Sequence, residues 1–421
     1  MSHLFKPSYN EYTSKNRLKV SQYQTVFFNT FQYGLETDIW DQEVANGGTV
    51  THDPNTNNVD MAVTSTLGSK VIRQTKNVMR YIPGRTSTLT YAIRMGIPVT
   101  GIRRRFGMFE SQNGVFFEDA GVINELTGYP EYNVVIRSST SGSVQENRIP
   151  RSEWNGDKLD GTGPSGIIAD IESQQLISIE YEWYGSGQVV FGFTINGKTH
   201  IIHTFNHANN LTLPWSSTPF LPIRLEIENL TGVAGTHYLF QGSNSLISEG
   251  VPEKLGIAQN VSSPITGTTL TAADTFYPVL SIRLKSSALK GVVLPTAFQL
   301  ATVDNTNLFF RVSVNAVIPA DVAVDSNGPQ PWLDIRDENS FIQYQTYKVP
   351  AAIADEDQGR SVDSGFIISG GGGSRVTIER DTVYQIGRSN LGATSDVITI
   401  LCASSGANKS ALAAITWIEQ R

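Results

Sequence analysis

Short runs of alternating apolar and polar residues, separated by Gly, Asn, Pro and Asp, dominate the chain from about Thr25 onward. A period of two belongs to a strand with one buried and one wet face, because successive strand side chains point to opposite sides. In residues 177–184, Ile179, Tyr181 and Trp183 fall on one face and Glu180 and Glu182 on the other; residues 225–229 repeat the pattern. Residues 189–203 read as a hairpin with Asn196-Gly197 at its tip. That pair favours the positive φ angles of a type I′ turn, whose twist matches the flanking strands. Residues 231–237 and 241–250 read as exit turns and a linker. A second strand-rich block follows from near Phe276, with strands expected at 277–284, 308–317, 341–347, 375–379, 397–403 and 413–418. The four glycines at 370–373 read as a loop, since such a run cannot hold a strand. Residues 410–414 fit a helical turn or a strand equally. No window combines a 3.6-residue period with caps, so helices are expected to be few. The pattern predicts an all-β protein: an extended N-terminal arm at 1–25, a first β-sandwich at 26–245, a linker at 246–260 and a second β-sandwich at 261–421.

Composition narrows this further. Of 421 residues 17% are charged, 39% hydrophobic and 10% aromatic, and the formal net charge is −7. A disordered chain would carry more charge and fewer aromatics, and a coiled coil more Ala, Glu, Lys and Leu. The polarity rests on Ser, Thr, Asn and Gly, which suits turns and hydrogen-bonding surface. The acidic balance argues against a nucleic-acid binder, which would carry a basic stripe. The single cysteine, Cys402, cannot form a disulfide within one chain and reads as a buried, inert thiol. No long apolar run predicts a membrane span and no apolar segment follows the first residues, so neither membrane insertion nor secretion by the standard route is expected.

The candidate chemistry is sparse. Glu180 and Glu182, two apart on a strand, would point the same way about 6–7 Å apart, near the spacing of glycosidase carboxylates. A third acid in step is missing, so a solvated strand face is the plainer reading and a glycan depolymerase the remote one. His200, His203 and His207 lie on a predicted strand, where the first two face opposite sides, and no metal site is expected from them. The turn-rich loop 155–166 lacks the acid spacing of a calcium loop and the Gly-Lys-Ser/Thr of a phosphate loop. Trp154, Asn155, Asp157, Tyr184 and Trp215 are candidate glycan contacts at loop tips, by stacking and hydrogen bonding. Arg103, Arg104 and Arg105 are expected to alternate across a strand or to pair with acids at a subunit contact. No catalytic residue, metal or cofactor is expected.

Several segments resemble a family of tailed-bacteriophage virion structural proteins, common in myovirus-like phages of marine and freshwater bacteria, cyanophages among them. RQTKNVMRYIPGRTS at 73–87 and RRFGMFESQNGVFFE at 104–118 carry the resemblance, and segments at 151–166, 180–193, 218–229 and 278–285 extend it. It covers roughly residues 45–420, and the first 45 residues match nothing in it. The resemblance implies a concanavalin- or lectin-like jelly-roll first domain, and a non-enzymatic role in a tail, neck, baseplate, fibre or capsid-associated part. It implies localisation in the virion, assembly in a reducing cytoplasm and release by lysis. The expected partners are other copies of the chain, as a trimer or ring, and other virion proteins. A host-surface glycan, bound by the chain acting as an adhesin, is the alternative partner.

Overall fold

The computed structural model describes residues 22–123, 130–250, 255–302, 304–319, 331–368 and 384–420. The protein is all-β: among these residues there is no α-helix, only three-residue 3-10 turns at Arg151–Glu153, Ser286–Ala288 and Asp355–Asp357. None of these is long and apolar enough to cross a membrane. The chain divides into two compact units, Met1–Pro252 and Glu253–Arg421. Most of the expected arm, and the expected loop 370–373 and strand 375–379, lie outside the described residues.

The first unit is a sandwich of two antiparallel sheets. One runs Lys198–Phe205, Val189–Ile195, Gln175–Tyr181, Ser87–Arg94, His237–Glu249, Asn58–Val63, Thr49–Asp53, with Tyr23–Asn29 also paired to His237–Glu249. The other runs Gln145–Pro150, Pro130–Ser138, Gly114–Ile123, Ile102–Phe109, Ile223–Asn229, Lys70–Thr75, Trp40–Ala45. The period of two explains the packing. Ile177, Ile179 and Tyr181 from the first sheet, and Phe106, Met108, Phe117 and Val134 from the second, share one buried core. Rings meet across the layers, Tyr91 against Phe106 at 5.5 Å and Phe193 against Phe117 at 5.8 Å. Edge-to-face and offset geometries of this kind add about 0.5–1.5 kcal/mol per pair beyond the area buried.

The hairpin expected at 189–203 is Val189–Ile195 and Lys198–Phe205, with Asn196 and Gly197 at φ of 52° and 73°. The linker expectation fails. Residues 241–250 are no linker, and the expected linker 246–260 is strand at both ends, because His237–Glu249 is a 13-residue strand inside the first sheet and Ile257–Ser262 a strand of the second unit. A register shift between Gln241 and Asn244 marks a bulge around Gly242 and Ser243. A bulge breaks the side-chain alternation and favours small residues, so the segment reads as turn in a sequence while remaining paired in space.

The second unit is also a β-sandwich. Ile257–Ser262, Thr268–Leu270 and Val292–Thr302 pair with Lys409–Gln420. Leu333–Asp334, Ile342–Thr346, Tyr277–Leu284, Val397–Ser404, Leu308–Val314 and Arg360–Ile367 form a six-stranded sheet. Trp417, Ile415 and Phe298 meet Ile282, Phe310 and Ile400 in its core. The ambiguous residues 410–414 are strand. Cys402 is buried, and burial pushes its thiol far above the ordinary range, so it is an inert apolar group.

Candidate functional site

Two polar regions of the first unit stand out. The first is the face of the seven-stranded sheet turned away from the core. Phe106 and Met108 point into the core, so Arg105 and Phe109 point to the opposite face. Phe109, Phe116 and Val135 form a small apolar floor there. Arg105 lies over Phe116 at 5.3 Å, Arg137 over Phe116 at 5.1 Å, and Arg224 over Phe109 at 5.6 Å. The guanidiniums that roof this floor are tied to carboxylates. Arg105 donates to Glu118 at 2.6 Å and lies 3.6 Å from Glu226. Arg137 binds Glu146 and Arg224 binds Glu226, each at 2.6 Å, while Arg148 joins Glu118 to Glu146. Burial pushes the Glu146 and Glu226 carboxyls up, but Arg137 and Arg224 respectively outweigh it and hold both below the usual range.

The three consecutive arginines therefore do alternate across the strand Ile102–Phe109, but Arg104 and Arg105 are no subunit contact. Arg104 faces the sandwich interior, paired with Asp119 at 2.7 Å, and both are buried. Arg105 is buried beneath its carboxylate partners on the other face. Only Arg103 is partly exposed, and it is paired with Glu228 at 2.5 Å. A guanidinium needs its buried donors satisfied, and the matching acids stand on neighbouring strands.

The second region lies at one end of the eight-stranded sheet. A cleft of about 390 Å³ is lined by Glu182, Tyr184, Ser186, Gln188, Asn206 and His207 among others. Two loops build it, one joining Gln175–Tyr181 to Val189–Ile195 and one following Lys198–Phe205. The first is held tightly: Trp183 N–H donates to the Tyr81 hydroxyl at 2.9 Å, and Gly187 N–H to the Trp183 carbonyl at 2.9 Å. A Cβ on Gly187 would fall 1.7 Å from the Glu182 carbonyl oxygen, so only glycine fits. Two bonds tie the loops together. Trp215 N–H donates to the Gly185 carbonyl at 2.8 Å, and His207 Nδ1 to the Gly187 carbonyl at 2.7 Å. His207 is stacked between Phe205 and Trp215, and burial lowers its pKa, so the ring is neutral with its proton on Nδ1.

Of the five candidate glycan contacts, only Tyr184 belongs to this cleft, with 45% of its surface exposed. Trp215 is buried behind His207, and Trp154 is buried in the core beside Phe117. Neither Trp can stack on a ligand; large flat rings at loop ends were taken up by the core, the commoner fate of tryptophan. Asp157 is buried and accepts from the N–H groups of Leu159 and Ser165, closing its own loop. Burial raises its pKa, but the bonds from Ser165 and Leu159 outweigh that and lower it. Asn155 is exposed, yet its amide exchanges two hydrogen bonds with the Thr204 backbone, at 2.8 and 2.9 Å, covering part of the edge strand Lys198–Phe205. Glu180 lies half-buried on the strand and Glu182 just past its end, buried in the cleft wall, so the two do not share a solvated strand face. His203 Nδ1 accepts from Asn155 N–H, and burial lowers its pKa to about 4. Among the described residues no three His, Cys, Asp or Glu side chains are grouped to hold a metal ion.

The sequence alone did not reveal the partners of Tyr184. Ser186, Gln188 and Asn206 sit in turn segments whose meeting is a tertiary event, and the paired glycines at 185 and 187 were the one local signal of a tightly folded loop.

No protein-family model matches the chain, and no curated protein matches it. Among solved structures it is similar to the Bacteroides ovatus mixed linkage glucan PUL GH16 in complex with product, with 10% identity, a TM-score of 0.36, and coverage of 52% of this chain and 99% of that one. The legume lectin-like domain from Entamoeba histolytica is similar with 13% identity, a TM-score of 0.32 and coverage of 54% and 99%. The Bacillus licheniformis beta-glucanase follows with 12% identity, a TM-score of 0.30 and coverage of 55% and 98%.

Proposed function

We propose that this chain is a non-enzymatic structural component of a tailed-phage virion that works through protein–protein contacts. The segments at 73–87 and 104–118 that resemble virion structural proteins motivate the reading. The observation that supports it best is the ion-paired face of the seven-stranded sheet. Carboxyl groups that serve as proton donors are held neutral by a raised pKa, whereas Glu146 and Glu226 are lowered and engaged by arginine. That ion-paired face reads as a structural plate. Surface for contact is available elsewhere: Phe28 and Tyr33 are 68% and 87% exposed on and just after the strand Tyr23–Asn29. Exposed aromatics of this kind are enriched at interfaces. Mass spectrometry of gradient-purified particles, with light scattering of the isolated protein, tests the reading. Stoichiometric copies in the particle and a trimer or ring in solution are expected. Absence from purified particles would overturn the reading.

A further inference from the structure

We propose that the cleft between the 182–188 loop and the 206–208 segment binds a neutral saccharide, with one sugar ring lying against Tyr184. This goes beyond the structural role above and does not depend on it.

The volume of about 390 Å³ falls within the range of roughly 300–1,000 Å³ usual for small-molecule sites. The lining has the right chemistry for hydroxyl groups. Ser186 carries a hydroxyl and Gln188 and Asn206 carry amides, each both donor and acceptor, and Glu182 adds a carboxylate acceptor. A sugar hydroxyl also donates and accepts, so such a set can satisfy two or three of them together. Among the described residues no lysine or arginine belongs to the lining, and His207 is neutral with its Nδ1 proton spent on the Gly187 carbonyl. With no lysine or arginine in that lining, nothing there draws in phosphate, sulfate or uronate groups.

Tyr184 supplies the apolar platform. Its backbone has φ of +36°, a conformation that costs a non-glycine residue energy and persists only where the surroundings impose it. The ring reaches towards Gly84, where a Cβ would meet its hydroxyl at 2.9 Å, so the glycine leaves room for it. A half-exposed ring beside side-chain amides offers a sugar both an apolar face and hydrogen-bonding groups.

The test uses the full-length chain. Saturation-transfer NMR and calorimetry are run with neutral oligosaccharides of glucose, galactose, mannose and N-acetylglucosamine, with digalacturonate, and with lysine methyl ester as a cationic probe. Wild type, Tyr184→Ala, Asn206→Ala and a distant control, Tyr33→Ala, are compared after circular dichroism has verified their folding. At least one neutral oligosaccharide is expected to bind with a Kd of about 1 mM or tighter. Binding should weaken about tenfold in both cleft variants and stay unchanged in the control. Asn206 is exposed, so its variant remains informative if Tyr184→Ala does not fold. The proposal is overturned if no neutral oligosaccharide binds the folded wild type, if binding is equal in Asn206→Ala, or if digalacturonate or the cationic probe binds in its place.

Discussion

The roofed face of the seven-stranded sheet and the cleft of the eight-stranded sheet draw on similar polar side chains and treat them oppositely. On the first, Glu118, Glu146 and Glu226 each meet an arginine on an adjacent position or strand, and the guanidiniums cover Phe109 and Phe116. In the second, Glu182, Gln188 and Asn206 line a concavity whose described walls hold no lysine or arginine. The difference is one of neighbours. A carboxylate on the same strand as an arginine or on the next becomes part of the scaffold, and one in a glycine-built loop lines a cleft. Counting acids along the chain cannot separate the two cases.

The largest effects are expected in the ion-paired scaffold. Glu118→Ala should cost about 3 kcal/mol of unfolding free energy, since it leaves Arg105 and Arg148 short of a buried partner. Chemical denaturation measures this, and a loss under 1 kcal/mol would show that water or Glu226 compensates. Next comes the cleft's own backbone. Gly187→Ala should cost about 2–3 kcal/mol, because its Cβ meets the Glu182 carbonyl. An unchanged melting temperature would contradict the loop geometry.

Acidification should sharpen the contrast in two steps. His203 and His207 have lowered pKa values, the first to about 4 against 6.5 when unfolded. The unfolded chain therefore takes up these protons first, and stability falls as pH drops from about 6.5 towards 4. The Glu146 and Glu226 carboxylates stabilise above their ordinary value of 4.5, and their contribution is lost as pH falls below it through the depressed folded values. Asp119 opposes this, because burial raises its pKa although Arg104 pulls it down. His203→Gln should flatten the upper step and leave the lower one. A stability profile whose upper step is unchanged in that variant would place the proton uptake elsewhere.

The smallest effect is expected at the cleft rim. Asn206→Ala should change stability by no more than about 0.5 kcal/mol, since the side chain is exposed and lines a space. A larger loss in thermal melts would mean that Asn206 belongs to the scaffold, and the contrast between the two regions would dissolve.

Much of the first sandwich was legible beforehand. Alternation placed Ile179 and Tyr181 inward, and Asn196-Gly197 marked its hairpin, because both signals are local in the chain. The strand His237–Glu249 escaped because a bulge at Gly242 and Ser243 interrupts its period. The candidate site fared less well. Tyr184 lines the cleft, while Trp154 and Trp215 went inside and Asp157 was consumed by its own loop. Whether a ring near a turn packs inward depends on residues far away in the chain, such as Phe117 for Trp154.

The all-β class, the faces of individual strands and the hairpin turn are written locally in the chain, since side-chain alternation and turn preference act over a few residues. Only the tertiary structure decided which charges became scaffold and which polar groups stayed open. Arg104 and Arg105 are neighbours in the chain, yet one is paired inside the sandwich and the other on its far face. Pairing and burial depend on distances across strands, and those distances exist only once the sheets have been assembled.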